Sequence, residues 1–352
     1  MKISVIMPVY NCKDYLEAAV SSVFAQGEED IELIAIDDHS TDGSWELLRS
    51  LAENEPRIRA RSHSTNRGVA AIRNEALALA RGDYIAFCDS DDTVPGGAYS
   101  SLYNTAVSTE ADITVGAFED VSDSGSQTDC PIPQEAKGNA FLTLYSVCCL
   151  WTKLIWREFI EKNSLRFDES MKIGEDVVFL AHAAAAKPKV SHTDTKVYSH
   201  IYHDMASTAS LTHIYTREAF SAHVDCRRKL LKICADAGIE ECPRYVYEYF
   251  SGDLEKYLLM IADPTERESA YKEYLDFLSG YDWEAKDKLF RATHGVSYSK
   301  MCEMTAAQYS SMQGSILARE RVLAEFDAGM IGFRWIIAYF KAWLRFKRQK
   351  RK

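Results

Sequence analysis

What this sequence lacks narrows its function first. No uncharged apolar run reaches the ~20 residues that a membrane-spanning helix needs. The chain enters a strand at Met1-Lys-Ile-Ser-Val5 with no signal peptide ahead of it, so no secretion is expected. The nine cysteines are odd in number and form no CxxC pair, and adjacent Cys148 and Cys149 cannot easily bridge to each other. Reduced thiols in a cytosolic setting are expected, and no zinc framework. Basic charge is outweighed, 41 Lys and Arg against 52 Asp and Glu, and the net charge of −11 argues against a nucleic-acid binder. There is no internal repeat and no low-complexity tract. No glycine-rich phosphate loop follows the first apolar run, since Pro8-Val-Tyr-Asn-Cys12 contains no glycine.

What is present is an ordinary globular composition, 47% hydrophobic and 26% charged over 352 residues. That length predicts about two domains of roughly 150 residues each. Short apolar runs at Ile3–Val9, Ile31–Ile36, Ile58–Ser62 and Tyr84–Cys88 alternate with helical spacing at Asp14–Gln26, around Trp45 to Leu51, and up to Ala80. This β-α-β-α-β-α-β alternation predicts a doubly wound, mostly parallel, Rossmann-like α/β sheet with helices on both faces. A helix over 98–108 and a strand over 113–118 follow. Residues 119–138 read as a long surface loop and 151–163 as a helix. A helix opening at Gly174 and strand-like residues over 190–200 complete this part. From about Arg217, helical periodicity replaces strand patterning. The expected division is therefore 1–215 as the α/β domain, with 1–95 and 96–215 as its halves. A helical domain over 216–329 and a basic amphipathic tail over 330–352 follow it.

The chain is organised around Tyr84-Ile-Ala-Phe-Cys-Asp-Ser-Asp-Asp-Thr93. A strand-forming run ends in Asp89, Asp91 and Asp92. Carboxylates this close repel one another unless a cation or a donor cluster neutralises them. Oxygen-rich clusters suit hard divalent ions such as Mg2+ or Mn2+. In open α/β sheets, ligands bind at the carboxyl ends of strands. A metal site at that edge is the expectation; a solvated acidic turn is the bland alternative.

Pro8-Val-Tyr-Asn11, Ile36-Asp-Asp-His-Ser-Thr-Asp-Gly-Ser44, Asn66-Arg-Gly68, Ile72-Arg-Asn74, Phe87-Cys-Asp-Ser-Asp-Asp92 and Gly174-Glu-Asp176 occur in that order. Together they resemble the family 2 glycosyltransferases of bacterial cell-surface polysaccharide synthesis, which have the GT-A fold. The resemblance covers roughly residues 1–210. It implies an inverting, metal-dependent enzyme that moves a sugar from a nucleotide sugar, usually a UDP-sugar, to a glycan or lipid-linked acceptor. It also implies a role for each matched residue. Pro8 and Tyr10 shape the base pocket, and Asp38 accepts a hydrogen bond from the base. Asn66 and Arg73 contact base and diphosphate, and Asp89 with Ser90 lies at the ribose. Asp91 is the direct metal ligand, with Asp89 beside it and Asp92 in support. Asp176 is the base that takes the acceptor proton, and Glu175 orients it. Relatives carry an arginine where this chain has His200 and His203, so either histidine is a candidate phosphate partner or metal ligand. Trp151 falls where relatives shape the acceptor site.

Each of these residues has a plainer reading. Asp38 or Asp42 can cap the following helix, Arg73 can be a surface helix arginine, and Glu175-Asp176 can simply favour a helix N-terminus. Two other functions compete. A nucleotidyltransferase of similar architecture needs the glycine-rich loop that is missing. A non-catalytic binding relative predicts missing acids, yet Asp38, Asp89, Asp91 and Asp176 are present. The tail from Met330 to Lys352 contains no acidic residue. Phe333, Ile336, Ile337, Phe340 and Leu344 share one helical face, and the end is basic. Residues 331–352 are expected to lie on an anionic membrane surface, making the enzyme peripheral on the cytoplasmic face. Packing on the protein body or on a second copy in a homo-oligomer is the alternative.

Overall fold

The computed structural model describes residues 2–26, 30–122, 125–134, 136–146, 149–202, 215–249, 251–283, 294 and 298–313. The expected tail and His203 lie outside the described residues. The chain divides into two compact units, one of Met1–Thr208 with Lys229–Cys242, the other of Ala209–Arg228 with Pro243–Lys352.

The first unit is built on one sheet. β1 (Ile3–Val9) lies between β2 (Ile31–Asp37) and β4 (Tyr84–Phe87), and β3 (Ile58–Ser62) flanks β2. All of these pairings are parallel, with Val9 opposite Asp37 and Ile6 opposite Phe87. Every residue of β2 is buried, as a central parallel strand covered on both faces must be. Complete burial of each Ile or Leu stabilises the fold by about 1.5–3 kcal/mol. Helices α1 (Lys13–Phe24), α2 (Ser44–Asn54) and α3 (Val69–Leu79) make the crossovers. α1 buries Leu16, Ala19, Val20 and Val23, the i, i+3, i+4, i+7 stripe its sequence predicts. The doubly wound, mostly parallel α/β expectation therefore holds.

Past β4 the sheet becomes mixed. After α4 (Ala98–Thr109) comes β5 (Ile113–Ser122), which has neighbours on both edges. β6 (Gln127–Cys130) and β7 (Lys153–Trp156) pair with it antiparallel, and β8 (Val190–Tyr202) pairs parallel. β7 also joins β4, antiparallel, and so links the two halves of the sheet. Two expectations change here. The loop read over 119–138 contains the end of β5 and all of β6. The helix read over 151–163 is a tight turn at Leu150–Thr152, then β7, then the short helix α6 (Arg157–Lys162). Lys153, Leu154 and Ile155 are all buried, as befits a strand between two others rather than a half-exposed helix. α5 (Ala140–Ser146) and α7 (Glu175–Ala185) complete this unit's layers.

The second unit is helical. Its described part includes the helices Ser251–Met260, Pro264–Ser279 and Tyr298–Cys302 and the first part of the helix Arg217–Asp236. Asp263 caps the helix that Pro264 opens, its carboxylate accepting from the N–H groups of Thr265 and Glu266. Among the described residues, no helix is long and apolar enough to cross a membrane.

Candidate active site

The carboxyl ends of β1, β2 and β4 lie side by side, and Tyr10, Asp38 and the Asp89–Asp92 turn come just after them. At the end of β2, Asp37 accepts from the Ser62 hydroxyl at 3.0 Å, while its other oxygen is buried with no hydrogen-bond partner among the described residues. Asp38 is 4% exposed, and its carboxylate receives the backbone N–H groups of Arg67 at 2.7 Å and Gly68 at 2.8 Å. Asn66 donates to the Asp38 carbonyl at 3.2 Å. Asp38 therefore braces the loop that starts α3 rather than capping α2. That loop turns through Gly68 at φ +85°, a conformation that side-chain-bearing residues adopt only at a cost. The first turn of α2 is served by Asp42, which accepts from the Ser44 N–H at 2.9 Å and the Lys13 N–H at 3.0 Å.

Asn11 pins the β1 loop to the same turn, since its N–H meets Ser40 and its side-chain oxygen receives Thr41 N–H, both at 2.9 Å. These bonds hold Tyr10 54% exposed at the rim, next to partly buried Pro8. A cavity of about 360 Å³ opens beside them, lined by Asn11, Cys12, Lys13, Tyr15, Thr41 and Asp42.

Arg73 ties the site together. It lies on the buried face of α3 and is 7% exposed. Its guanidinium donates to Glu175 at 2.6 Å and to Asp89 at 3.2 Å, which joins the end of β4 to the start of α7. Burial alone would lower its pKa, but the carboxylates of Asp89, Glu175 and Asp176 hold it above the ordinary arginine value. Its Nε has no partner among the described residues. Beneath it, Phe167 lies 5.6 Å from the guanidinium carbon and stacks on Phe179 at 4.3 Å. The next residue, Asn74, clamps the Phe167 backbone at both ends, accepting its N–H at 2.8 Å and donating to its carbonyl at 2.9 Å. The loop that leads to Glu175-Asp176 is thereby fixed to α3.

Asp176 is partly buried in the first turn of α7 and accepts from the Val177 N–H at 2.8 Å. Burial and the adjacent Glu175 charge push its carboxyl up to about 7, against the pull of Arg73. A carboxyl poised there can take a proton at neutral pH.

The acidic turn is asymmetric. Asp89 is half-exposed and faces Arg73, Ser90 is buried, and Asp91 is partly buried. Asp92 is 3% exposed and faces β8, where it receives the Tyr198 hydroxyl at 2.9 Å and the Ile201 N–H at 2.7 Å. Burial lifts the Asp92 carboxyl to about 8, with His200 opposing and Asp91 and Asp89 adding to the rise. His200 meets Asp120 at 3.1 Å and stacks against Trp151. Burial would lower its pKa, but the Asp120 hydrogen bond and the Asp92 charge raise it. Among the described residues no three His, Cys, Asp or Glu side chains gather into an ion cage. Asp91, with Asp89 beside it, is instead a donor set of one or two hard carboxylates. Magnesium-like ions take such sets when substrate phosphates fill the other positions, so the residues fit a metal shared with a diphosphate.

Residues 4–164 match the model of the family described as "Glycosyl transferase family 2". The chain is 30% identical over 236 residues to an uncharacterized glycosyltransferase, EpsJ, of Bacillus subtilis (strain 168), covering 63% of this chain and 66% of that protein. It is 31% identical over 198 residues to a poly(ribitol-phosphate) beta-glucosyltransferase of Bacillus spizizenii, covering 54% of this chain but 31% of that protein. The chain thus spans from about a third to just under two thirds of the length of these relatives. In fold it resembles the crystal structure of S. aureus TarS 1-349, with a TM-score of 0.55 at 18% identity, over 79% of this chain and 89% of that one. The same neighbour is also known in complex with UDP-GlcNAc, with a TM-score of 0.52. Residues 4–164 of this chain thus carry a domain of glycosyl transferase family 2.

Proposed function

We propose that the protein transfers a sugar, with inversion, from a nucleotide sugar to a hydroxyl of a glycan or lipid-linked acceptor in cell-surface polysaccharide synthesis. The observation that carries the reading is the Arg73 link, which puts the acidic turn after β4 and the Glu175-Asp176 pair around one guanidinium. A UDP-sugar is the proposed donor, supported by the UDP-GlcNAc complex of the structural neighbour. The polysaccharide role is supported by the beta-glucosyltransferase relative.

In this mechanism the base and ribose of the donor lie along the β1 and β2 loops, against Tyr10, Asp38 and Asp89. Asp91, with Asp89, would hold Mn2+ or Mg2+, which would supply Lewis-acid stabilisation of the charge on the departing diphosphate. Asp176 takes the proton of the acceptor hydroxyl as that oxygen attacks the anomeric carbon. Glu175 keeps Arg73 in place and, by its own charge, keeps Asp176 basic. Only Asp176 is assigned to proton transfer, which suits transfer rather than hydrolysis by two opposed acids. Residues 331–352 would place the enzyme at an anionic cytoplasmic leaflet, where a lipid-linked acceptor resides.

A panel of nucleotide sugars, scored by nucleotide release with Mn2+ present, tests the proposal. Release from one donor, stimulated by metal, is expected. No release from any donor, together with no UDP binding, would leave the chain a non-catalytic relative.

A further inference from the structure

The last acid of the turn, Asp92, has its carboxylate directed into β8. We infer that Tyr198 is the positioning residue that holds the Asp89–Asp92 turn in the shape needed to bind a divalent metal and diphosphate, acting through Asp92 and the Asp89 peptide. The Tyr198 hydroxyl sits at a junction. It accepts the Asp89 N–H at 2.9 Å and donates to Asp92 Oδ2 at 2.9 Å. The other Asp92 oxygen takes the Ile201 N–H. One residue on, Thr93 and Ser199 exchange backbone hydrogen bonds of 3.2 and 2.9 Å. Asp91 is therefore bracketed on both sides by groups fastened to β8.

Tyr198 itself cannot shift freely. It is 0% exposed, and its ring stacks on Trp151 at 4.3 Å and 13°. Trp151 in turn meets the edge of Phe118 at 4.9 Å. Lys153 fixes the turn that carries Trp151 by donating to the Cys149 carbonyl at 2.6 Å. Only a group that donates and accepts at once can serve both Asp92 and the Asp89 N–H. Phenylalanine would fill the same volume and leave both unmet.

This inference rests on the donor reading above. Its test is calorimetry of UDP binding to the full-length wild type, Tyr198→Phe and Asp92→Asn, with Mn2+ and with EDTA. Both variants are expected to lose about tenfold in UDP affinity with Mn2+, the scale of outer-shell effects on metal sites, and nothing in EDTA. The double variant should lose no more than either single one. A merely structural role would weaken both conditions equally or neither, and either result overturns the inference. Should Tyr198→Phe fail to fold, Trp151→Phe keeps the hydroxyl and thins its stack. It is expected to lose affinity with Mn2+ only, by less than Tyr198→Phe would, and unchanged binding overturns the inference. If wild type gains no UDP affinity from Mn2+, the donor reading itself fails. If wild type gains it and Tyr198→Phe keeps the gain, this inference alone fails.

Discussion

The two edges of the same sheet carry buried ions and treat them in opposite ways. At the edge where β1 and β2 begin, Glu32 is 2% exposed and fully engaged. It receives the Ser4 hydroxyl at 2.6 Å, the Arg81 N–H at 2.8 Å and Arg59 at 3.3 Å. Gly82 makes this closure possible, because a side chain there would meet the Ser4 backbone nitrogen at 2.5 Å. At the edge where the same strands end, Arg73 Nε and Asp37 Oδ1 are buried without partners among the described residues. Two carboxyls there are held far above their ordinary range. A closed ionic cluster leaves no group for a ligand to meet. One with unmet groups and raised acids is poised for a ligand and a proton.

Substitutions at the two edges should therefore separate function from stability. The largest effect is expected for Asp176→Asn, which should cut transfer by about 10³-fold, within the range for loss of a general base, while UDP affinity stays near wild type. Single-turnover kinetics beside calorimetry would show it, and near-normal transfer would remove Asp176 as the base. At the opposite edge, Glu32→Ala strands a partly buried arginine and should lower unfolding free energy by about 3 kcal/mol in a denaturant titration. Turnover per folded molecule should change little; a matching loss of activity would erase the contrast between the edges.

A smaller effect separates the edges by pH. With Asp176 near 7, turnover should rise about tenfold per pH unit below that value and level off above it. The same shift has a stability sign. The ordinary value is 3.8, so between about 4 and 7 the folded protein holds a proton that the unfolded chain has lost. Stability should fall as pH rises through that window, and the fall should be shallower in Asp176→Asn. An identical pH profile in both proteins would contradict the assignment. The smallest effect on chemistry is expected from deleting 331–352. That deletion should release the protein from anionic liposomes and leave turnover of a soluble acceptor near wild type; unchanged sedimentation with vesicles would refute the anchor.

Much of the working edge was legible in the chain because it is local. Asp38, Asp89 and Asp91 each follow an apolar run that could be read as a strand. Asp176 sits in a helix start marked by Gly174. What escaped depends on long side chains crossing the fold. Arg73 reaches 102 positions along the chain to Glu175, and Tyr198 reaches 106 to Asp92. No spacing rule encodes either contact, although Tyr198 stands in the segment already singled out for its histidines. The helix read at 151–163 failed for a different reason. A run such as Lys153-Leu-Ile-Trp156 satisfies both periods when it is short, and only insertion between β4 and β5 decides for the strand. The polar stretch after Phe118 hid β6 because an edge strand needs few apolar residues.

The most direct test of the account is a calorimetric titration of UDP into wild type and Asp91→Ala, each with and without Mn2+. The account predicts metal-dependent binding in wild type, loss of that dependence in the variant, and an unchanged melting temperature. Equal UDP affinity in the two proteins with Mn2+ present would contradict it.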